Sequence, residues 1–437
     1  MGNGTDNVKK RFILLQRQAL FGIFIGYVCY YLIRNNFVLS SPYLVSEVGL
    51  SKTQIGFISS VMYIAYGMSK GVWSILADKG SPRYFYTFGL LACIVINFMI
   101  GFSTSFYLFV FLIFLLGIFQ GTGAGPALVV IGYWFSRKQR ARASTLWNIS
   151  HNIGGGLVAP VVGVSTAYLG TEHWRIAIFA VPAALAIIGV ICSYVYIKER
   201  PYELGLPPVD EVFPETISDT HEGGGLKTKK APENMSSFAI FKNYVLKSPH
   251  AWYLVGVDIF TYMVRFGTIT WIPLYLMSAK GFSKMEMSTA FAFFEFAAIP
   301  STVIAGYLVD KYFVGKVMKL PIFCFIIIAL SVIGYTHSDT ILMVTIFASI
   351  IGCLVYIPQS MTGVQAMETI PSFALGSAVG LRGFMAYIVG SSLGTTLFGF
   401  LVDNFGWDSG FYAILVGTIF GMLFCSLSHL QRKKVKL

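Results

Sequence analysis

Charged side chains are scarce in this chain of 437 residues, since Asp, Glu, Lys and Arg together make up only 12% of it. Hydrophobic residues account for 55% and aromatic residues for 16%. A soluble globule of this length needs more polar surface than that composition supplies. The scarcity of charge therefore excludes an ordinary soluble protein and favours a chain that lies mostly in lipid.

Other absences narrow the function. The chain has no Gly-x4-Gly-Lys-Ser/Thr motif for cradling nucleotide phosphates, so ATP is not expected to drive it. The six cysteines stand singly in apolar segments, without the close spacings of a metal site or a disulfide framework. Nothing in the sequence suggests covalent chemistry. We therefore expect no enzyme, no metal and no cofactor.

Apolar runs of about 20 residues, the length that crosses a bilayer, recur twelve times along the chain and predict an all-α membrane protein. They lie near 19–40, 53–77, 84–103, 107–134, 143–169, 175–197, 250–278, 284–309, 320–337, 339–361, 371–400 and 408–429. Both ends then share one side, which carries 24 of the 32 Lys and Arg residues, against four on the other side. Because cationic loops stay in the cytoplasm, both termini are predicted there. The net charge of +12 is thus explained by membrane topology, and it gives little support to nucleic-acid binding.

One long polar stretch, at 198–249, divides the spans into two sets of six, at 1–197 and 250–437. Its prolines, its run of three glycines and its mixed charges predict a cytoplasmic linker loop. Polar and apolar residues alternate at near-helical spacing over 237–244. We therefore expect a short surface helix leading into the seventh span.

The two sets of spans repeat one another. A Tyr-apolar-apolar-Arg step at 31–34 in the first span recurs at 262–265 in the seventh. The turn at 71–83, with its Gly, Asp and Arg, is echoed at 306–311 after the eighth span. Repeated spans imply a pseudo-symmetry axis, so we predict two pseudo-symmetric six-helix bundles.

The paired turns on twelve spans resemble the major facilitator superfamily. Within it, the segments YYLIRNNF at 30–37, WNISHNIGGG at 147–156 and YMVRFG at 262–267 resemble the organophosphate:phosphate antiporters. The resemblance covers essentially the whole chain and implies the major facilitator fold. It also implies exchange of phosphate esters for inorganic phosphate across a bacterial inner membrane. The same family includes phosphate-ester sensors, which are an alternative function.

Four cations fall inside the predicted spans, namely Arg34, Lys70, Arg265 and Arg382. A cation at the centre of a bilayer costs about 3 kcal/mol on insertion scales, so it persists only if it is paired, snorkels, or faces a water-filled cavity. The repeat would set Arg34 and Arg265 opposite each other, where two guanidiniums can clamp one phosphate through bidentate hydrogen bonds. The alternative is internal ion pairing with Asp258 and Glu295. The cations predict an anionic cargo.

Aromatic hydroxyls accompany the arginine pair. Tyr27, Tyr31 and Arg34 are spaced i, i+4 and i+7, which places them on one helical face. In the resemblance the two arginines bind phosphate, and Tyr27, Tyr31 and Tyr262 face the same cavity. Core packing of the tyrosines is the alternative.

Two further residues are candidates for the cargo site. His151 lies beside Asn148 in the fifth span, and the family uses this histidine at the substrate site. Its titration near neutrality could follow the charge state of phosphate, although a lone membrane histidine is often structural. Lys70 lies near the cytoplasmic end of the second span, where it either snorkels or attracts anions. In the resemblance a lysine lines the cytoplasmic mouth.

Arg382, which precedes Tyr387 in the eleventh span, has no counterpart in the repeat. Hexose-phosphate carriers resemble this segment but place an aspartate three positions before a lysine, where this chain has Val379. The sequence therefore predicts an uncompensated cation, which favours a cargo with a carboxylate beside its phosphate. The pattern most resembles the phosphoglycerate carriers, whose cargoes include phosphoenolpyruvate. Hexose 6-phosphate and glycerol 3-phosphate remain alternatives.

The chain departs from the family at a proposed gate. Many members follow the first-span arginine with a lysine and carry an aspartate before the tryptophan of the seventh span, whereas this chain has Asn35 and Thr270. An ion pair closing one side is therefore not expected, and a neutral contact between Asn35 and Thr270 is predicted in its place. We expect alternating access by a monomer in the lipid bilayer, with small phosphate esters and inorganic phosphate as partners.

Overall fold

The computed structural model describes residues 2–213, 235–313 and 315–435, and this part of the chain contains helices and no strand. Among these residues the chain divides into two compact units. One unit holds those within 1–43 and 64–222, and the other holds those within 44–63 and 223–437. The first residues of the second span thus belong to the second unit.

The helices of the N-terminal half follow one another with short connections. They are α1 (Gly2–Leu32), α2 (Asn36–Leu39), α3 (Ser41–Ser46), α4 (Lys52–Lys79), α5 (Pro82–Gly101), α6 (Phe106–Trp134), α7 (Arg137–Leu169), a 3₁₀ turn (Thr171–His173), a π-turn (Ile176–Ala180) running into α8 (Val181–Tyr196), a 3₁₀ turn (Pro201–Leu204) and α9 (Val209–Val212). The first predicted span is broken at 33–35, so Arg34 lies in the turn between α1 and α2.

The C-terminal half begins with the short helix predicted over 237–244, which the structure confirms. Its elements are α10 (Ser237–Ile240), a π-turn (Phe241–Leu246), α11 (Pro249–Ile269), α12 (Ile272–Ser278), α13 (Lys284–Phe296), α14 (Ser301–Tyr312), α15 (Lys319–His337), α16 (Ile341–Thr369), α17 (Ser372–Met385), π-turns (Ala386–Gly390 and Leu393–Leu397), α18 (Phe398–Phe405) and α19 (Trp407–Val435). The seventh and eighth predicted spans are each broken into two helices.

Nine helical segments within the described residues are long and apolar enough to cross a membrane. The predicted second, seventh and eighth spans are not among the nine, and they correspond to α4, α11 with α12, and α13 with α14. The helices α13 and α14 are individually too short to span a bilayer of about 30 Å. Together with the nine, these three agree with the twelve predicted spans.

Serine caps fix where several helices begin. Ser81 and Ser248 each accept a hydrogen bond from the backbone N–H three residues later, and each is followed by proline at the first helical position. Ser283 forms a reciprocal capping box with Glu286. Capping satisfies N–H groups that the first turn of a helix leaves without partners, so these starts follow from local sequence.

The first part of the predicted linker is ordered against the N-terminal half. Arg200 donates through Nη2 to the carbonyl oxygens of Asp78 at 2.5 Å and Gly80 at 3.1 Å, where α4 ends. Its Nη1 lies 3.5 Å from the carboxylate of Glu203. The remainder of the predicted linker loop, at 214–234, lies outside the described residues.

Candidate functional site

A glycine seats α7 against α1 in the first unit. A Cβ atom at Gly154 would lie 2.9 Å from Cβ of Tyr31 and closer still to the carbonyl oxygen of Val28. Such a contact is too short for any side chain, so the close approach of the two backbones requires glycine.

The second unit repeats this contact. A Cβ atom at Gly390 would lie 2.9 Å from Cβ of Tyr262 and 2.5 Å from the carbonyl oxygen of Ile259. Tyr262 begins the Tyr-x-x-Arg step of the seventh span, as Tyr31 begins that of the first. The repeat seen in the sequence is therefore also a repeat of helix packing within each unit.

An aromatic pair accompanies each glycine. The rings of Tyr31 and His151 have centroids 5.2 Å apart, and those of Tyr262 and Tyr387 have centroids 5.0 Å apart. His151 and Tyr387 each lie three residues before the glycine of their own helix segment. Tyr387 is thus the counterpart of His151, which aligning the two glycines in the sequence would have shown.

Tyrosine rings surround Arg34, whose side chain is buried. Its Nη1 donates to the hydroxyl of Tyr31 at 3.3 Å, and its Cζ lies 4.3 Å from the ring centroid of Tyr66 on α4. The Tyr66 hydroxyl is 3.3 Å from that of Tyr27. A guanidinium over an aromatic face is held by the ring quadrupole. Tyr27, Tyr31 and Arg34 thus meet as predicted, and Tyr66 joins them.

Of the two candidates in the fifth span, His151 contacts this cluster and Asn148 does not contact it through a described side-chain interaction. The ring of His151 packs on Tyr31, and its Nδ1 contacts the carbonyl oxygen of Asn148. A carbonyl only accepts, so a hydrogen bond at this place needs Nδ1 as its donor. The side chain of Asn148 is exposed. Trp147, which packs on the Tyr27 ring at 4.6 Å, was missed as a neighbour of the site.

Lys70 lies one helical turn after Tyr66 on α4 and is half-buried. A Cβ atom at Gly121 of α6 would lie 2.9 Å from its backbone nitrogen. Close packing of α4 on α6 therefore fixes the backbone of Lys70. Residues four apart share a helical face, so Lys70 follows the Tyr66 side of the helix.

Arg265 in the second unit has a similar environment. Its side chain is buried, and its Cζ lies 4.3 Å from the ring centroid of Tyr356 on α16. The Tyr356 hydroxyl donates to Oε2 of the buried Glu295 at 3.3 Å. Each arginine of the repeat is thus stacked on a tyrosine that another helix supplies.

Gln359 is a further polar residue of the second site. Its Nε2 donates to the hydroxyl of Tyr262 at 3.0 Å. The ring of Tyr262 also packs on Phe266 at 5.4 Å, and Phe266 stacks on Tyr63 at 3.9 Å. A glutamine in a predominantly apolar span is a signal in the sequence, but Gln359 was not among the predicted site residues.

The prediction that Arg382 is uncompensated is wrong. Its Nε donates to Oδ2 of Asp258 at 2.7 Å, and its Nη2 donates to the hydroxyl of Thr362. The expected place for a neutralising acid was the same helix, where this chain has the half-exposed Val379. Asp258 comes from α11, more than a hundred residues away in sequence, so helical spacing could not reveal the pair.

Within the described residues, each unit thus holds one arginine between aromatic rings, and the hydroxyl of Tyr31 accepts a hydrogen bond from Arg34. The second unit also holds an internally neutralised arginine, Arg382. Groups of His, Cys, Asp and Glu able to hold a metal ion are not found in the part of the chain that the structure describes. Repeated bundles of membrane-spanning helices with such buried cations define a multi-pass membrane carrier.

Comparison with known proteins agrees with this class. The model of the Major Facilitator Superfamily matches residues 23–395. The phosphoglycerate transporter protein of Salmonella typhimurium is 53% identical over 415 residues, covering 94% of this chain and 88% of that protein. The glycerol-3-phosphate transporter of Bacillus subtilis is 34% identical, covering 97% and 94%.

A solved structure shares the fold. The bacterial homologue of the human lysosomal transporter Spinster, in an inward-facing and unoccupied conformation, has a TM-score of 0.74 at 14% identity, covering 96% of this chain and 97% of that one. The chain belongs to the Major Facilitator Superfamily and, within it, to the organophosphate:phosphate antiporter family. It is a multi-pass membrane transporter and not an enzyme.

Proposed function

We propose that this chain exchanges phosphoglycerates or phosphoenolpyruvate for inorganic phosphate across the bacterial inner membrane. The observation that carries the proposal is the repeated site, in which Arg34 and Arg265 are each buried and each stacked on a tyrosine ring. The relatives named above, whose cargoes are phosphate esters, agree with it.

The two arginines are proposed to bind the phosphate of the cargo. A guanidinium stays charged at any physiological pH and matches a tetrahedral oxyanion with two parallel hydrogen bonds. Lys70 is proposed to attract anions near the cytoplasmic mouth. The other residues that we assign to the cargo site are Tyr27, Tyr31, Asn148, His151, Tyr262 and Tyr387.

The cargo's second anionic group is assigned to Arg382. Because Arg382 is paired with Asp258, an uncompensated charge no longer supports this assignment. However, the guanidinium uses only Nε and Nη2 in that pair, and no described residue accepts a hydrogen bond from Nη1. Nη1 therefore remains for a carboxylate oxygen. Hexose 6-phosphate and glycerol 3-phosphate, which lack that carboxylate, are the alternative cargoes.

Transport is proposed to follow alternating access, with the cargo site open to each side in turn. The positive charge of two buried arginines disfavours a closed, dehydrated intermediate unless an anion is bound, so reorientation is proposed to require a bound anion. Obligate exchange follows, and opposing gradients supply the energy. Asn35 and Thr270 are both buried, and a neutral gate between them stays a prediction.

The orientation in the membrane is also part of the proposal. The strong bias of Lys and Arg toward one side supports cytoplasmic termini, and we propose that the carrier acts as a monomer. Labelling of an added C-terminal cysteine, before and after lysis of spheroplasts, would test the orientation. Labelling of a C-terminal cysteine by an impermeant maleimide before lysis would contradict it.

Substrate competition in proteoliposomes tests the cargo. Labelled phosphate is exchanged for unlabelled phosphate, and 3-phosphoglycerate, phosphoenolpyruvate, glycerol 3-phosphate and glucose 6-phosphate are added as competitors. We expect the two carboxylated esters to inhibit at the lowest concentrations. Better inhibition by glycerol 3-phosphate or glucose 6-phosphate would assign the chain to the alternative cargo. Binding of these esters without any exchange would favour a sensor.

A further inference from the structure

We infer that Asp258 is a specificity-determining residue, which sets how many negative charges the carrier accepts on its cargo. It does so by neutralising Arg382 and by fixing which edge of that guanidinium is open. The inference rests on the proposed function. It assigns the cargo's charge preference to a carboxylate on α11, in addition to the cations.

The three side chains form a closed hydrogen-bonded ring. Arg382 donates through Nε to Oδ2 of Asp258 at 2.7 Å and through Nη2 to the hydroxyl of Thr362. That hydroxyl shares its proton between Oδ1 of Asp258 at 2.7 Å and the carbonyl oxygen of Gln359 at 2.8 Å. Both carboxylate oxygens are therefore engaged, and α11, α16 and α17 each supply one member.

Burial makes this neutralisation effective. Asp258 is 3% exposed, Arg382 is 5% exposed and Thr362 is fully buried. Water screens charges poorly at such sites, and a buried charge whose partner is removed is strongly destabilising. Losing Asp258 would leave a positive charge that only a bound anion could compensate. The ring therefore determines how strongly the empty site attracts further negative charge.

The ring also orients the guanidinium. The Nε edge and Nη2 are committed to Asp258 and Thr362, so the remaining terminal nitrogen is the donor available to cargo. Asp258 lies seven residues before Arg265 on α11, which places both on the same helical face about 10 Å apart along the axis. Side chains of a helix lean toward its N-terminus, so Arg265 leans toward the ring. The phosphate-binding cation and the ring thus border one region.

The test measures inhibition of phosphate exchange by anions of different charge. We would compare glycerol 3-phosphate with phosphoenolpyruvate, which carries an additional carboxylate, in the wild type and in Asp258→Asn. Asparagine keeps the size of the side chain and removes its charge. We expect the preference for phosphoenolpyruvate over glycerol 3-phosphate to rise at least about tenfold, because the charge of Arg382 is then no longer neutralised and water screens a buried charge poorly.

The double variant Asp258→Asn with Arg382→Gln is the matched control. It has the same net charge as the wild type and keeps hydrogen-bonding groups in the ring. The raised preference should disappear in it. An unchanged preference in the single variant, or the same raised preference in the double variant, would overturn the inference.

A binding measurement serves for variants that no longer transport. Ligand-induced rises in melting temperature, measured on the purified full chain in detergent, give the preference of each variant without requiring exchange. If the single variant does not fold, Arg382→Gln is compared with the double variant, because Asp258 is then a negative charge in the first and absent from the second. The preference for phosphoenolpyruvate should be lower in Arg382→Gln than in the double variant, and equal preferences would overturn the inference. Failure of the wild type to exchange any ester would refute the proposed function, and the binding preferences would still test Asp258.

Discussion

His151 and Tyr387 occupy equivalent places in the two halves, each one helical turn before the glycine that seats its segment against a Tyr-x-x-Arg step. Their rings pack on Tyr31 and Tyr262 at nearly equal centroid distances of 5.2 and 5.0 Å. The geometry is shared by the halves while the chemistry differs. An imidazole offers two ring nitrogens to a ligand, whereas a phenol offers one hydroxyl.

This equivalence predicts that both side chains contribute polar contacts to the cargo. Tyr387→Phe keeps the ring and removes the hydroxyl, so the protein should fold as before. Loss of one hydrogen bond should raise the half-saturating phosphate concentration about 2- to 10-fold. Initial rates of exchange in proteoliposomes measure this. If the rings serve packing alone, Tyr387→Phe will exchange phosphate like the wild type.

The glycine contacts predict a stability effect. Gly154→Ala and Gly390→Ala would each force a methyl group into a neighbouring backbone, which should lower the free energy of unfolding by about 1–3 kcal/mol. Gly132 and Gly363 are helical glycines at which an added Cβ atom would meet nothing within 4 Å. Their alanine variants serve as controls and should be neutral or more stable. Thermal unfolding in detergent compares the four, and equal melting temperatures would contradict the packing account.

The start of α4 supplies another prediction. Asp403 accepts hydrogen bonds from the backbone N–H and the hydroxyl of Thr53, both at 2.7 Å, and lies 3.4 Å from Nζ of Lys52. Asp403 therefore caps α4 from a distant helix. Asp403→Ala should cost about 1 kcal/mol or more of unfolding free energy. Lys52→Ala removes only a partly exposed ion pair and should cost less. The reverse order in thermal unfolding would refute the capping role.

The arginine pair predicts that exchange depends on the shape of the guanidinium as well as on its charge. Arg34→Lys and Arg265→Lys keep the positive charge but lose the bidentate fork, so exchange should fall by about tenfold or more. Arg175 is a suitable control because it donates to the carbonyl oxygens of Gly101 and Ser103 at the end of α5. Arg175→Lys should retain exchange. Equal losses in all three variants would show that impaired folding, rather than loss of the fork, is responsible.

The sequence was sufficient for the fold because apolar runs and Tyr-x-x-Arg steps are local signals. It predicted twelve spans, the internal repeat and the short helix before α11. It did not reveal the break at 33–35, and it did not reveal that the first linker residues are folded against the N-terminal half. Arg200 donates a hydrogen bond to the end of α4, which is distant in sequence. Such tertiary contacts produce no periodic pattern in the sequence.

The site was predictable only in part, for the same reason. Tyr27, Tyr31 and Arg34 were grouped correctly by helical spacing. The stacking partners Tyr66 and Tyr356 come from other helices, and so does Asp258, the partner of Arg382. A charge count along one helix could not find a neutralising residue on another, which is why the prediction about Arg382 failed.

The most direct test of the account is efflux of labelled phosphate from proteoliposomes that contain the purified chain. In a medium without any transportable anion, the account predicts that phosphate stays inside. Adding external 3-phosphoglycerate should release it rapidly, with one ester entering for each phosphate that leaves. Efflux that is equally fast in the anion-free medium, or no efflux after the ester is added, would contradict obligate exchange through this site.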